Sequence, residues 1–362
     1  MANTAAASGL TVQQWDDQFF EDSLNANQFF SFMGSSENSL IHVKEALTKE
    51  PGDSVTFALV NSLKNSATTG SSTLEGNEEA LITRSQKVVI DQYRHAVRIP
   101  VLQNQFSAID LRNAARNALM NWEMELVRDQ IIEAFGSING TVYASATEVE
   151  KDAWITDNND RVLFGAATSN YSAGDMSASL ANVDSTADKL TPEILSLSKR
   201  LAKNASPKIG PLRNRTQKSR SDAYVLFAPS TALRDLKENS TFQQANRDAR
   251  QRGKGNPLFD DADYIWDNIA IIEIEDIPAT GLVGDTSDRV VPCYLCGVQA
   301  LGMALAKRPE TIDDDFDYQD KQGVAIRQWH KIEKLRFGTG VGDTVDLKDH
   351  GMVTIFVAAA AD

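Results

Sequence analysis

Two stretches of alternating side chains, separated by a long polar run, most constrain what this sequence can fold into. After the turn signal Pro51-Gly52-Asp53, apolar Val55, Phe57 and Leu59 recur at every second residue, the pattern of a half-buried strand. Residues 61–84 are rich in Ser, Thr, Asn and Gly, with TTGSST at their centre and LEGNEEAL behind it. Alternation returns over residues 87–99, where Val89, Asp91, Tyr93, His95, Val97 and Ile99 fall on one face. This spacing predicts an extended hairpin with a long polar loop. Loops of that length are uncommon inside compact domains, and two strands cannot bury both faces against their own chain. The hairpin therefore asks for a partner surface.

The flanking sequence supplies a body for it. Residues 1–11 are small and polar, the pattern of an arm tip. Trp15, Phe19, Phe20, Leu24, Phe29, Phe30, Phe32 and Met33 then recur at near-helical spacing. Such an arm packs either on its own domain or on a neighbour. Ser107 and Asp110 form a capping-box-like pair ahead of a helix expected to run to Phe135. Its core stripe would be Leu111, Ala115, Leu119, Trp122, Leu126 and Ile131 or Ile132. At 1.5 Å per residue it would span about 40 Å and suit a spine. Residues 136–190 read as loops with short elements. Thr191-Pro192 opens a further helix with Ile194, Leu197 and Leu201 on its apolar side. A strand at 223–228, one helix over 230–250 and strands at 268–277, within 290–306, at 323–337 and at 351–359 complete an α+β pattern without regular βαβ alternation or internal repeat.

Composition excludes several classes. The 362 residues carry 42% hydrophobic content, enough for two or three domains, and a net charge of -14. An acidic chain is repelled by phosphate at long range, so sequence-reading nucleic-acid binding is disfavoured. Residues 194–221 run against that trend: Lys199, Arg200, Lys203, Lys208, Arg213, Arg215, Lys218 and Arg220 occur with no acid between them. They could be a solvated face, a contact for an acidic neighbour, or a surface toward DNA. With two cysteines, a disulfide-stapled secreted fold is not expected. The N-terminus shows no signal-peptide pattern, and the apolar run at 290–306 is interrupted and too short to span a bilayer.

The usual chemistry-bearing motifs fail one by one. Cys293-Tyr-Leu-Cys296 has no second pair to complete a zinc site and reads as two buried strand cysteines. Gly338, Gly340 and Gly342 resemble a phosphate loop, but no helix start follows, so a hairpin turn is expected. No G-x-S-x-G elbow or phosphate-binding lysine loop is present. Asp313, Asp314, Asp315, Asp317 and Asp320 lack EF-hand spacing and read as a solvated loop. A hydrolase using these acids with His330 is the enzymatic alternative; it requires a pocket where they converge. No cofactor or metal is expected.

Several stretches in order resemble the major capsid proteins of tailed bacteriophages, in the podovirus-type branch. They are HVKEALTKEPGDSVTFALV, TLEGNEEAL, IDQYRHAVR, FSAIDLRNAARNAL, NPLFDDADYIWDNIAIIE, DYQDKQGVAIRQWHKIEKLRFG and HGMVTIFVAAA. The resemblance implies the tailed-phage capsid fold: an arm (1–52), an extended hairpin loop (53–105), a spine helix and peripheral domain (106–222), an axial domain (223–310) and strands returning to the peripheral domain (311–362). It implies pentamers and hexamers in an icosahedral shell around double-stranded DNA, built in the host cytoplasm. A scaffolding protein, a portal and, in some members, a decoration protein would assist, with no membrane and no sequence-specific DNA contact. On this reading Phe19, Phe20, Phe29 and Phe30 anchor the arm on a neighbour, and Leu74, Glu75, Glu78 and Glu79 are loop contacts. Lys199, Arg200, Lys203, Arg213, Arg215, Lys218 and Arg220 would form a basic contact surface. Another virion structural protein, or a nucleic-acid binder using residues 194–221, is the alternative.

Overall fold

A computed structural model describes residues 28–45, 52–60, 66–70, 73–81, 83–107, 111–214, 221–249, 264–339 and 342–359. A 3-10 turn at Phe30–Phe32 leads into β1 (Met33–Gly34) and β2 (Ile41–Lys44). β3 (Ser54–Val60) and β4 (Thr83–Val89) pair with each other, and β5 (Asp91–Pro100) continues into α1 (Val101–Phe106) and α2 (Leu111–Gly136). Then come α3 (Glu148–Asp157), β6 (Val162–Phe164), α4 (Met176–Ala181), α5 (Pro192–Asn204), β7 (Leu212–Asn214) and β8 (Ser221–Ala228). Helices α6 (Ser230–Glu238) and α7 (Ser240–Ala249) follow. After them the chain is mainly strand: β9 (Tyr264–Trp266), β10 (Ile269–Glu273), β11 (Gly281–Leu282), β12 (Arg289–Cys296), β13 (Leu301–Phe316), β14 (Lys321–Lys334), β15 (Arg336–Thr339), β16 (Val345–Asp349) and β17 (Met352–Ala358).

Runs of consecutive apolar residues build an eight-stranded sheet whose main path is β6-β17-β12-β8-β10-β9. Its strands mix parallel and antiparallel pairs and need apolar side chains on both faces. On one face, Val225, Phe227, Ala270, Ile272, Tyr294 and Cys296 pack with Phe29, Phe32 and the α2 residues Ile131, Ile132 and Phe135. On the other, Tyr224, Leu226, Ile269, Ile271, Cys293 and Leu295 pack with α5, α6 and α7 through Ile194, Leu195, Leu233, Leu236 and Phe242. Burying each large side chain stabilises by about 1.5–3 kcal/mol. Cys293 and Cys296 are free thiols inside this sheet, and burial pushes both well above the usual thiol range.

Runs that alternate build the five-stranded sheet β1-β2-β13-β14-β5. α2 lies across one face, packing Leu119 and Trp122 against Val97, Val324 and Ile326. Its buried stripe steps by four through Ala115, Leu119, Glu123, Val127 and Ile131, so Trp122 and Leu126 are only half-buried. At 26 residues it is about 39 Å long and joins both sheets.

Four local expectations differ. Residues 87–99 are two strands: β4 returns the hairpin, while β5 leaves it to pair with β14. The alternation changes phase at Ile90, so Val88 rather than Val89 is buried. Residues 28–34 are a 3-10 turn and a short strand, because Phe29 and Phe32 both enter the core while Met33 pairs with Ile41. The helix expected over 230–250 breaks at Asn239, whose side chain accepts from the N–H groups of Thr241 and Phe242 and caps a second helix. Asp313, Asp314 and Asp315 belong to β13 rather than to a loop, and Asp317 and Asp320 lie in or beside its turn into β14.

Residues 136–190 are a compact unit. A capping box between Thr147 and Glu150 starts α3. Trp154, Ile155, Phe164, Met176 and Leu180 form a core with Val290 and Phe356 of the eight-stranded sheet. A buried polar network holds it in place. Lys334 pairs with Asp349 at 3.0 Å, Trp154 Nε1 donates to the same carboxylate at 3.2 Å, and Arg161 donates to the Asp349 carbonyl. Neither sheet is contiguous in sequence: β17, from the segment 311–362, lies beside β12 inside the eight-stranded sheet, because β12 supplies its antiparallel partner.

Candidate assembly surfaces

The β3–β4 hairpin is two-faced. Val55, Phe57 and Val88 are buried against Ala304, Leu335 and Phe337, whereas Thr56, Ala58, Val60 and Val89 on the other face are exposed. Phe57 lies over Gly302, where an added Cβ would come within 3.0 Å of its ring; His42 meets the same ring edge-on. Polar contacts fix the second strand. The Arg336 N–H donates to Gln86 Oε1 at 2.7 Å, and Gln86 Nε2 donates to the Lys334 carbonyl at 3.1 Å. The Ser85 N–H donates to Asp343 at 2.8 Å, and Arg84 lies 3.7 Å from the same carboxylate. Asp343 sits in the glycine turn between β15 and β16, so that turn grips the hairpin rather than a phosphate. Gln86, Arg336 and Asp343 were not singled out by sequence; the only signal was the turn itself.

Beyond the hairpin, residues 73–81 face solvent. Leu74 and Leu81 are 64% and 62% exposed, Glu75 and Glu78 are exposed, and Glu79 is half-buried. Glu78 accepts from the Gly76 N–H at 2.7 Å, which shapes the loop.

The aromatic arm divides at the point where it enters the described residues. Phe29 is fully buried in the core of its own chain, with ring centroids 5.3 Å from Phe227 and 6.1 Å from Phe135. Phe30 is 41% exposed. Phe19 and Phe20 lie outside the described residues.

The basic stretch divides as well. Lys199 is buried and bonded to Asp267 through both its carboxylate, at 2.8 Å, and its carbonyl. It joins α5 to the β9–β10 turn. Arg200, Lys203, Lys208 and Arg213 are exposed. Arg215, Lys218 and Arg220 lie outside the described residues.

The acids do not converge with His330. Asp313 binds Arg112 and Arg116 of α2 at 2.6 and 3.4 Å. His330 is fully buried, with Nε2 2.7 Å from Gln130. Asp313 pairs with Val324 in the ladder, and His330 lies six residues farther along β14, about 20 Å away. No general acid–base pair forms across that distance.

The model of the phage capsid protein family matches residues 3–361. The major capsid protein of Pseudomonas phage KPP25 is 27% identical over 376 residues, covering 95% of this chain and 94% of that protein. Among solved structures, the capsid asymmetric unit of cyanophage Pam1 superposes with a TM-score of 0.80 at 28% identity, over the whole of both chains. The capsid of Ralstonia phage GP4 gives 0.74 at 20% identity, over 100% of this chain and 96% of that one, and shares the fold. The spine-like helix joining two sheets, the one-faced hairpin and an end-to-end match agree: the chain belongs to the phage capsid protein family.

Proposed function

We propose that this chain is the major capsid protein of a phage, copies of which form the shell around double-stranded DNA. The observation that carries the reading is the hairpin. One face is clamped to its own body, while the loop beyond it projects two leucines and a set of acids into solvent, where a neighbouring copy can reach them. In this reading the copies form pentamers and hexamers, assemble in the host cytoplasm with a scaffolding protein and a portal, and perform no catalysis. The five-stranded sheet with α2 is the peripheral body and the eight-stranded sheet with α5–α7 is the axial body. Of residues 1–52, those up to Phe30 are the arm, since β1 and β2 belong to the five-stranded sheet. Phe19, Phe20 and Phe30 are its contacts with a neighbour, and Phe29 is the point where it is rooted in its own subunit. Leu74, Glu75, Glu78 and Glu79 are loop contacts. Arg200, Lys203 and Arg213 with Arg215, Lys218 and Arg220 form a basic surface toward a neighbour or the DNA.

Weak contacts repeated over many copies give a stable closed shell without a large apolar patch on any one subunit. Size-exclusion chromatography and negative-stain electron microscopy test this, with the chain expressed alone and with the other head proteins of its phage. Closed shells, or sheets and tubes of hexamers, are expected. A single-copy particle under all conditions would overturn the reading.

A further inference from the structure

Where α2 ends, a cavity of about 340 Å³ lies between the two sheets and the unit of residues 136–190. Its floor is the ladder of β12 with β17. Tyr294 stands opposite Thr354, and Pro292 opposite Phe356. Opposed residues, and residues two apart on a strand, share a face, and all four line the cavity. Ile132 and Phe135 of α2 and Trp154 of α3 make apolar walls. Lys334 of β14 is the buried charge in the lining, and Asp349 already holds it at 3.0 Å. The floor differs from the rest of the core in its two hydroxyls. Tyr294 and Thr354 are only 3% and 4% exposed, yet neither hydroxyl has a hydrogen-bond partner among the described residues. A buried hydroxyl left without a partner is destabilising. Gly136 ends α2 beside Tyr294, where an added Cβ would stand 3.1 Å from the phenolic oxygen. Glycine at this position leaves that oxygen open to the cavity.

We propose that this cavity is a binding site for a small, uncharged, two-ring aromatic molecule that carries a hydroxyl or carbonyl group. Apolar walls with a few convergent polar groups are the make-up of a small-molecule site. A cavity of about 150 Å³ accommodates benzene, so this one takes about two such rings. The rings pack on Phe135, Trp154 and Phe356, and the oxygen meets Tyr294 and Thr354. Each of those hydroxyls can both donate and accept, so a hydroxyl and a carbonyl suit equally. An ionic ligand does not, because the buried ammonium is already neutralised and a second buried charge would stand unpaired. Water would satisfy the hydroxyls but gain nothing from the ring-lined walls. The lining draws on both sheets and on residues 136–190, so a bound molecule ties the three together within one subunit.

Calorimetric titration of the full chain with 2-naphthol tests it. One molecule should bind per subunit with a dissociation constant of about 100 µM or tighter. At about 1 mM it should raise the thermal midpoint by about 2–3 °C. Y294F/T354V removes both hydroxyls and keeps the shape of the floor. It should weaken naphthol about tenfold while leaving naphthalene, which fills the same space without an oxygen, within about twofold of its native affinity. A second measurement needs no variant. In the native chain, intermolecular nuclear Overhauser contacts should run from the naphthol ring to the methyl groups of Ile132 and Ala279, which line the cavity. Native affinity of Y294F/T354V for naphthol overturns the inference. So does the absence of binding to the native chain below about 1 mM, or a set of contacts to methyl groups elsewhere in the molecule.

Discussion

The eight-stranded sheet is buried on both faces and the five-stranded sheet on one, and the difference is written in their strands. AYVLFA, IAIIE and MVTIFVA place an apolar side chain at nearly every position, and all of them find partners within the chain. VAIRQWHKI alternates: Val324, Ile326, His330 and Ile332 are buried, while Arg327 and Trp329 point the other way. A sheet of the first kind is complete within one molecule. A sheet of the second kind keeps a face for something else. The same chain thus contains a body that owes its stability to itself and a body whose outer surface is available for assembly.

The largest effect expected from this contrast is on the two-sided sheet. Phe227 touches Phe29, Phe32 and Phe135, so Phe227→Ala should cost about 3–5 kcal/mol in denaturant unfolding. The arm offers the same contrast in adjacent residues. Phe29→Ala should cost a comparable amount, while Phe30→Ala should change subunit stability by under about 1 kcal/mol and act on shell formation instead. Equal costs at the two positions would mean the arm is not divided there.

Acid acts on the interface beneath α2. Burial, helped by Lys331 and opposed by Asp91, lowers the His330 pKa from 6.5 to about 4. The unfolded chain therefore takes up the proton first. Stability should be level above pH 7, fall as the pH drops from about 6.5 towards 4, and lose up to about 3 kcal/mol over that window. His350 is lowered to about 4 by burial and by Arg161 and contributes a slope of the same sign. His330→Gln should remove roughly half of the acid-side loss in urea titrations run at a series of pH values; an unchanged slope would show that His330 does not titrate alone. The smallest effect on the subunit should come from the open face. Trp329→Ala should shift the thermal midpoint by no more than about a degree or two. A loss as large as that of Phe227→Ala would erase the distinction between the sheets.

Much of this was legible in the sequence, for local reasons. The long helix, the strand cysteines and the glycine turn each depend on residues close together in the chain. The phase change at Ile90 was not legible, because alternation continues through it while the pairing partner switches from β3 to β14. Nor was the order in residues 136–190, whose core is completed by Val290 and Phe356 from distant strands. Glu123 of α2 and His330 of the strand beneath it are buried polar residues that no local pattern marks. For the candidate assembly surfaces, Leu74 and the acids of the loop could be singled out from sequence. The different burial of Phe29 and Phe30 could not, nor could the pairing of Lys199 with Asp267, since both depend on three-dimensional neighbours. The Gln86 clamp joins residues 250 positions apart and leaves no trace in either segment.

That clamp has a mechanical consequence. The hairpin is a cantilever: its ladder of seven residue pairs makes a stiff beam, while Gln86, Ser85 and Arg84, with the buried face of Val55, Phe57 and Val88, hold it to the body. A force on the loop is carried along the beam to the mount, where those polar contacts and the buried face of Val55, Phe57 and Val88 against Ala304, Leu335 and Phe337 take it up. When a neighbour pulls on residues 73–81, the hairpin should swing as one piece about the Lys334–Arg336 corner. The load then passes through Lys334 into Asp349 and the unit formed by residues 136–190.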